Sequence, residues 1–138
     1  MTAAAASRLF LPVLALLASS CAVPPPPPPL ADLGGTDWHV ALVNGRQTPT
    51  TGDYSLHFGR DGRFGARFGC NSMGADYTQT ANILDLDMVI ATQMACADMS
   101  FESQGGAILN EPMTMSWSGG DRLTLSNTRG RITLVRSY

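Results

Sequence analysis

Apolar and polar residues alternate with a period of two along most of this chain, and this pattern constrains the fold more than any other feature. Phe64, Ala66 and Phe68 alternate with Arg63 and Arg67. Similar segments are bounded by Asn-Gly, Asp-Gly, Gly-Gly and Arg-Gly pairs. Successive side chains of a strand point to opposite faces, and such pairs favour hairpin turns. The pattern therefore predicts about eight short strands.

One of these strands carries Leu84, Leu86 and Met88, which alternate with Asp85 and Asp87. Strict alternation places the three apolar side chains on the inner face of the sheet and the two carboxylates outside. A pair of carboxylates on a solvated strand face is more common than a cation site, because calcium loops need more oxygen ligands at closer spacing.

A single segment, Asp98 to Asn110, breaks the alternation and predicts one helix. Asp98 or Ser100 would cap it, and Gly105-Gly106 weakens it by about 1 kcal/mol per glycine, which puts its continuity in doubt. An antiparallel sheet of this size must bury one face and protect its edges. We therefore expect a mainly β (β-rich α+β) fold, a small, partly open antiparallel β-barrel of about eight strands with one helix over an end.

The amino terminus has the features of a signal peptide over residues 1–20. Leu9 to Ala18 is an apolar run too short to span a bilayer as a helix. Leu17 to Cys21 resembles a bacterial lipobox, in which the cysteine becomes lipidated; the alternative is an ordinary secretory signal. By analogy with enteric bacteria, Ala22 favours sorting to the outer membrane. We expect a lipoprotein anchored through Cys21 in the cell envelope, in the outer membrane and facing the periplasm.

Residues 21–35 are expected to form a linker between this anchor and a domain over residues 36–138. Pro24 to Pro29 are consecutive prolines, which lack N–H donors and favour a stiff polyproline II spacer of roughly 20 Å. The chain has a formal net charge of −2 and no basic patch. Nucleic acid is therefore not expected as a partner.

A group of residues in the middle of the chain resembles the signature of the META domain, found in HslJ-type bacterial lipoproteins. The residues that carry the resemblance are Gly69, Cys70, Asn71, Gly74, Tyr77, Thr92 and Cys96. The resemblance implies a small β-rich barrel with a helix and no general enzymatic activity. It also implies a loose link to stress and antibiotic tolerance, and some members resemble lipid-binding pilot proteins.

Cys70 and Cys96 are the cysteines that remain once Cys21 serves as an anchor. An even pair in an exported domain is interpreted first as a disulfide, here worth about 3.5 kcal/mol in the chain-entropy model. Two free buried thiols are the second interpretation. A metal site with His39 and His57 is a distant third, because the histidines lie far from the cysteines in sequence.

The Gly-Cys-Asn motif predicts a sharp connection between two strands. Glycines at 69 and 74 permit unusual backbone angles, and Asn71 is able to bond its neighbouring backbone as asparagine does in turns. We expect this turn to be fastened to the segment before the helix. A ligand-binding role for Asn71 and Tyr77 is the lesser alternative.

No known catalytic motif occurs in the chain: there is no G-x-S-x-G, H-E-x-x-H or phosphate loop. We therefore expect no enzyme, no metal and no cofactor. The leading hypothesis is a non-catalytic envelope lipoprotein, a binding or assembly module for an envelope protein partner, linked to stress or antibiotic tolerance. The alternative is a carrier of a lipid or apolar small molecule in the barrel interior. We expect the partner to dock on loops such as 48–53 and 71–76.

Overall fold

A computed structural model describes Val23 and residues 31–138. The predicted signal peptide, the anchor Cys21 and the proline run lie outside the described residues. The described elements are β1 (Thr36–Val43), β2 (Arg46–Gln47), β3 (Asp53–Phe58), β4 (Arg63–Gly69), β5 (Ser72–Thr80), β6 (Ile83–Ala91), α1 (Ser100–Leu109), β7 (Met113–Trp117), β8 (Arg122–Asn127) and β9 (Gly130–Ser137). None of the helices in this part is both long and apolar enough to cross a membrane.

Eight of the strands form a closed antiparallel barrel, and the short strand β2 extends it beside β1. Strands β3 to β9 pair in chain order, and β1 pairs with β3 on one side and with β9 on the other. The predicted fold class is confirmed, but the barrel closes where a partly open one was expected. Closure pairs the backbone groups that the first and last strands would otherwise expose.

The pairing of β6 with β7 is the shortest pairing between neighbouring strands of this barrel. The two strands pair only through Ile83 with Thr114 and Leu84 with Met113, because α1 is inserted between them in the chain. From Asp85 to Ala91, β6 pairs with β5 but has no partner strand on its other side among the described residues. One stretch of strand edge is therefore left without a partner strand.

Helix α1 runs without a break across Gly105-Gly106, so the doubt about its continuity was wrong. Asp98 Oδ1 accepts a hydrogen bond from the Ser100 N–H at 2.9 Å, and the helix begins at Ser100. The glycines let the helix lie close to the barrel end. A Cβ atom at Gly105 would stand 2.5 Å from the Phe68 ring.

Apolar side chains from all sides fill the interior. Trp38 and Trp117 meet edge to face with ring centroids 5.6 Å apart, and Phe58 and Tyr77 do so at 5.2 Å. The largest fully buried side chains are Trp38, Phe58, Phe68, Leu33, Leu56, Leu84, Ile108, Leu109, Met113, Leu123, Leu125 and Ile132. Side chains of this kind pack at near-crystal density in barrels of this size.

The ordered domain begins before residue 36, where the linker was expected to end. Leu33 is 0% exposed, and its N–H donates to Gln79 Oε1 at 3.1 Å. Gln79 Nε2 in turn donates to the Ala31 carbonyl oxygen at 3.0 Å. A single buried leucine after a proline run gives no periodic signal in the sequence, so the contacts of residues 31–33 with the barrel were not expected.

Candidate functional site

The Gly-Cys-Asn motif forms the turn between β4 and β5, as the sequence indicated. Gly69 ends β4 with φ at 110°, in a region that only glycine adopts without a steric penalty. Cys70 and Cys96 are joined by a disulfide with their Cα atoms 6.4 Å apart. The predicted disulfide is therefore present, and it ties the turn to the segment that leads into α1.

Asn71 is fully buried, and its side-chain amide uses all of its hydrogen-bonding capacity within the protein. Its Oδ1 accepts from Thr92 Oγ1 at 2.8 Å and from the Met94 N–H at 2.7 Å. Its Nδ2 donates to the Met94 carbonyl oxygen at 3.1 Å and to Glu102 Oε1 at 2.8 Å. Asn71 thereby joins the β4–β5 turn, the exit of β6 and the helix.

Glu102 completes this network, although the sequence analysis did not select it. It is 8% exposed, and its carboxylate accepts hydrogen bonds from both the backbone N–H and the side chain of Asn71. Helical spacing already put it on the face of the buried Gly105 and Leu109. A carboxylate on an apolar helix face needs hydrogen-bond partners, and this need was the sequence signal that could have identified Glu102.

We refer to Cys70, Asn71, Thr92, Cys96 and Glu102 as the motif cluster. The polar atoms of its asparagine and glutamate side chains bond to each other and to neighbouring backbone. This arrangement therefore holds together the β4–β5 turn, the exit of β6 and the helix. It gives the amide of Asn71 no free donor or acceptor for a ligand.

The other two motif residues, Gly74 and Tyr77, lie elsewhere on β5. The Tyr77 hydroxyl donates to the Gly59 carbonyl oxygen at 2.8 Å and so supports the turn between β3 and β4. Burial, followed by the negative charges of Asp32 and Asp61, raises the pKa of Tyr77. Gly74 is opposite Gly65 on β4, so two neighbouring strands lack side chains at this point of the outer surface.

Residues 71–76, which were expected to be a docking loop, belong mostly to β5, which begins at Ser72. The sequence analysis placed a loop where the structure has a strand, because a segment with glycines at 69 and 74 has the pattern of a turn. The other expected loop is anchored by Thr48, which is buried and donates from Oγ1 to the Val40 carbonyl oxygen at 2.6 Å. Its remaining residues up to Asp53 are exposed.

The two histidines lie on the outer surface, away from the disulfide. His57 Nδ1 is 2.6 Å from Asp37 Oδ1, with both side chains more than half exposed. His39 faces Ser55 across the β1–β3 pair and is exposed. Within residues 31–138, no three His, Cys, Asp or Glu side chains are placed to hold a metal ion.

The largest exposed apolar side chains of the barrel wall lie on β6. Met88 is 77% exposed and Ile90 is 67% exposed. They border a depression of about 390 Å³ on the outer surface, whose lining residues are Arg63, Phe64, Gly74, Ala75, Asp76, Asp87, Met88 and Ile90. We refer to Asp87, Met88 and Ile90 of β6, together with Gly74 and Asp76 of β5, as the β6 edge surface.

A β-bulge produces this exposure. Gly74 pairs with Ile90 and Asp76 pairs with Asp87, so Ala75 alone faces both Met88 and Val89. Met88 adopts φ at 48°, a left-handed conformation that costs a non-glycine residue roughly 1–2 kcal/mol. Val89 then packs against the core while Met88 and Ile90 face solvent. The expectation that Met88 shares the inner face with Leu84 and Leu86 was therefore wrong.

The β6 edge surface also carries negative charge. Asp76 and Asp87 stand directly opposite each other on β5 and β6, and both are exposed. Neither forms a salt bridge in the part of the chain that the structure describes, but Arg63 is opposite Asp76 on β4 and offsets one of the two negative charges. Like charges directly opposite on neighbouring strands repel, so a bound cationic group would relieve this repulsion.

Comparison with known proteins places the chain in a family. The family model of the META domain matches residues 31–137, and the chain belongs to the META domain family. A protein structure solved by NMR matches with a TM-score of 0.67 and 17% identity, covering 77% of this chain and 95% of that one. An NMR structure of a protein from Burkholderia xenovorans matches with a TM-score of 0.60 and 18% identity, covering 76% of this chain and 83% of that one. At these identities the two structures support the fold alone. The search of curated proteins finds no match.

Proposed function

We propose that this protein is a non-catalytic binding module that docks a protein partner on its outer surface. The observation that carries the proposal is the exposure of Met88 and Ile90 on a strand edge that has no partner strand within residues 31–138. Large apolar side chains grouped at a depression are typical of interaction sites, whereas single exposed ones are ordinary. A backbone held in a strained conformation to expose one of them points in the same direction.

The arrangement of the motif residues supports a role other than catalysis. Asn71, Thr92 and Glu102 bond to each other and to backbone. A catalytic group needs a nucleophile, a base and an orienting partner that converge on a space open to substrate. Asn71 and Glu102 are buried instead, which fits a binding module whose working surface lies elsewhere.

The proposed setting is the bacterial cell envelope. Cys21 would carry the lipid anchor in the outer membrane, the proline run would hold the barrel away from the bilayer, and the domain would face the periplasm. The disulfide between Cys70 and Cys96 fits an oxidising compartment. We further propose an HslJ-type role in stress or antibiotic tolerance, which rests on the resemblance of the motif residues to that group.

The experiment that tests the binding function is photo-crosslinking in cells of the source organism. A benzoylphenylalanine would replace Ile90 and, in separate variants, the exposed His57 and Arg129 on other parts of the surface. We expect a discrete protein adduct from at least one position. Adducts at none of several surface positions, together with a fatty acid or lipid that co-purifies with the barrel in native mass spectrometry, would favour a carrier and contradict the proposal.

A further inference from the structure

We infer that the β6 edge surface binds an extended segment of a partner polypeptide as an additional strand beside β6, and that the outward face of this segment carries both apolar and basic side chains. This inference rests on the proposed binding function and specifies its site and the chemistry of its partner. Three features support it independently: the unpaired backbone edge, the open depression next to it and the charge around it.

The backbone of β6 offers the hydrogen-bonding groups for strand addition. Pairing with β7 ends at Leu84, while pairing with β5 continues to Ala91. An unpaired row of N–H and C=O groups is a template for another chain. Proteins commonly protect such an edge with charged side chains, proline or a β-bulge, and β6 has Asp85, Asp87 and a bulge at Met88 and Val89. The segment beyond Asp87 has no further protection of this kind. Residues 88–95 contain no charged residue and no proline, and apart from Val89 all of them are exposed.

The depression offers space for side chains of the added strand. Ile90 faces Gly74 across the β5–β6 pair, and Gly74 faces Gly65 on β4. A Cβ atom at Gly74 would have Phe64 O as its nearest neighbour, at 3.7 Å, which is an ordinary contact. The fold therefore does not require glycine at this position. A strand glycine often marks a bulge, a bend or a close approach of another backbone, and Gly74 stands both at the β5–β6 bulge and at the depression.

The charge of the surface selects the partner. Asp76 and Asp87 face each other without a salt bridge among the described residues. Arg63 is opposite Asp76 on β4, so one net negative charge remains in this group. The carboxylates and the apolar side chains share the outer face, and the added strand must therefore carry its basic and apolar side chains on one face, at every second position. Arginine or lysine at some of these positions would offset the negative charge, and apolar residues at the others would cover Met88 and Ile90. A second copy of this chain is a poorer occupant, because it would bring the same carboxylates of two molecules together.

The test uses the purified full-length protein and a synthetic peptide about ten residues long, the length of a typical strand, in which valine and arginine take turns at every second position and threonine stands between them. We expect the peptide to bind, and we expect hydrogen exchange to show protection of the amides of residues 87–91. A peptide with glutamate in place of arginine, and one with alternate valines replaced by proline, should each bind at least about tenfold more weakly, because the first reverses the charge and the second lacks N–H donors.

Two variants separate docking from folding. Gly74→Val fills the depression with a good strand former, and Met88→Gly removes the apolar side chain while favouring the left-handed backbone. Both should keep or raise the melting temperature and weaken binding by about tenfold, as expected for residues at the centre of an interface. Ile83→Ser is the matched control: this β6 residue lies where β7 already pairs, is 40% exposed, and should leave binding unchanged.

Several results would overturn the inference. These are equal binding of the proline or glutamate peptide, no binding of the arginine peptide, no protection of residues 87–91, or a dimer held together through Met88 and Ile90. Cellular adducts at other surface positions without peptide binding would remove this inference and leave the binding function intact. Absence of adducts at every position, together with a fatty acid or lipid that co-purifies with the barrel, would remove the binding function itself.

Discussion

Gly105 and Gly106 are neighbours in α1, and replacing each by alanine should change the stability of the protein in opposite directions. A Cβ atom at Gly105 would stand 2.5, 2.6 and 2.7 Å from three atoms of the Phe68 ring. Phe68 is 1% exposed, so its ring has nowhere to move. A Cβ atom at Gly106 would meet only the terminal methyl group of Met73, at 3.3 Å, which a small rotation of that flexible side chain would relieve.

Each substitution has two opposing effects on the free energy of unfolding, a gain in helix stability and a cost for the added methyl group, and they have comparable sizes. Replacing glycine by alanine inside a helix stabilises it by about 1 kcal/mol. Forcing an extra methyl group into a packed core costs typically about 1–3 kcal/mol. At Gly105 three close contacts with a buried ring place the cost near the upper end, so Gly105→Ala should destabilise the protein by about 2 kcal/mol. Gly106→Ala should stabilise it by roughly 0.5–1 kcal/mol.

The assay is urea unfolding followed by the fluorescence of Trp38 and Trp117 and by circular dichroism. The free energy of unfolding should differ between the two variants by about 2–3 kcal/mol at an unchanged m-value. In thermal unfolding, each kcal/mol corresponds to a shift of about 4–8 °C for a domain near this size. Adding Phe68→Leu to Gly105→Ala should recover part of the loss, because it removes the ring that the new methyl group meets.

A rise in stability for Gly105→Ala that matches the rise for Gly106→Ala would refute this reasoning. It would mean that α1 does not lie on the Phe68 ring as described, and that the glycines serve some purpose other than close approach. Equal losses in both variants would refute it as well, because Met73 would then be as immovable as Phe68.

Three further predictions concern the motif cluster and the helix start. Asn71→Ala should lower the free energy of unfolding by about 2–4 kcal/mol, because Glu102 and the Met94 backbone lose buried partners, whereas Ser72→Ala, a neighbouring change, should have little effect in the same urea titration. Replacing both Cys70 and Cys96 by serine should lower the free energy of unfolding by about 2–4 kcal/mol. In the unmutated protein, intact-mass analysis should find the thiols of Cys70 and Cys96 reactive only after reduction, and alkylation of these two residues without reduction would contradict the disulfide. The backbone and side-chain hydrogen bonds from Ser100 lower the pKa of Asp98 below its ordinary value of 3.8. The carboxylate therefore stabilises the fold above that value and loses its effect as the pH falls through the lowered pKa, and Asp98→Asn should remove this part of the acid dependence of the melting temperature; an unchanged acid profile would show that the bond does not matter.

The parts of the fold that follow local rules were predictable from sequence. Alternation around Phe64 and the Asp-Gly turn before it gave the β3–β4 hairpin, which the structure contains with Phe58 opposite Phe64. The same rule failed at Met88, because a bulge changes the phase of a strand by one residue. Bulges of this kind usually carry glycine in the left-handed position. A methionine there gives no sequence signal, so the exposure of Met88 emerges only from the register of β5 and β6.

The candidate site was predictable only in part, for a related reason. Cys70, Asn71, Thr92 and Cys96 were selected as one motif, and the structure brings them together. Their sequence does not say that Glu102 closes the network, since a single glutamate in a helix is more often exposed. The unpaired edge of β6 depends on how far β7 extends beside it. That length is set by how α1 packs over the barrel end, which local periodicity does not encode.

The motif cluster and the β6 edge surface are joined by the chain itself, and this connection would give the motif cluster a part in the proposed binding without any contact to a partner. Residues 92–96 directly follow the exposed end of β6, and within them Thr92, Met94 and Cys96 are held by Asn71 and the disulfide. An unpaired strand end would otherwise fray, and a partner would have to order it on binding. Fastening the strand immediately beyond Ala91 fixes its direction in advance, so that less conformational entropy is lost when another strand is added. The buried Asn71 and Glu102 of the motif cluster, and an exposed edge that no strand covers among the described residues, are thus two parts of one arrangement, in which the first would hold the second ready.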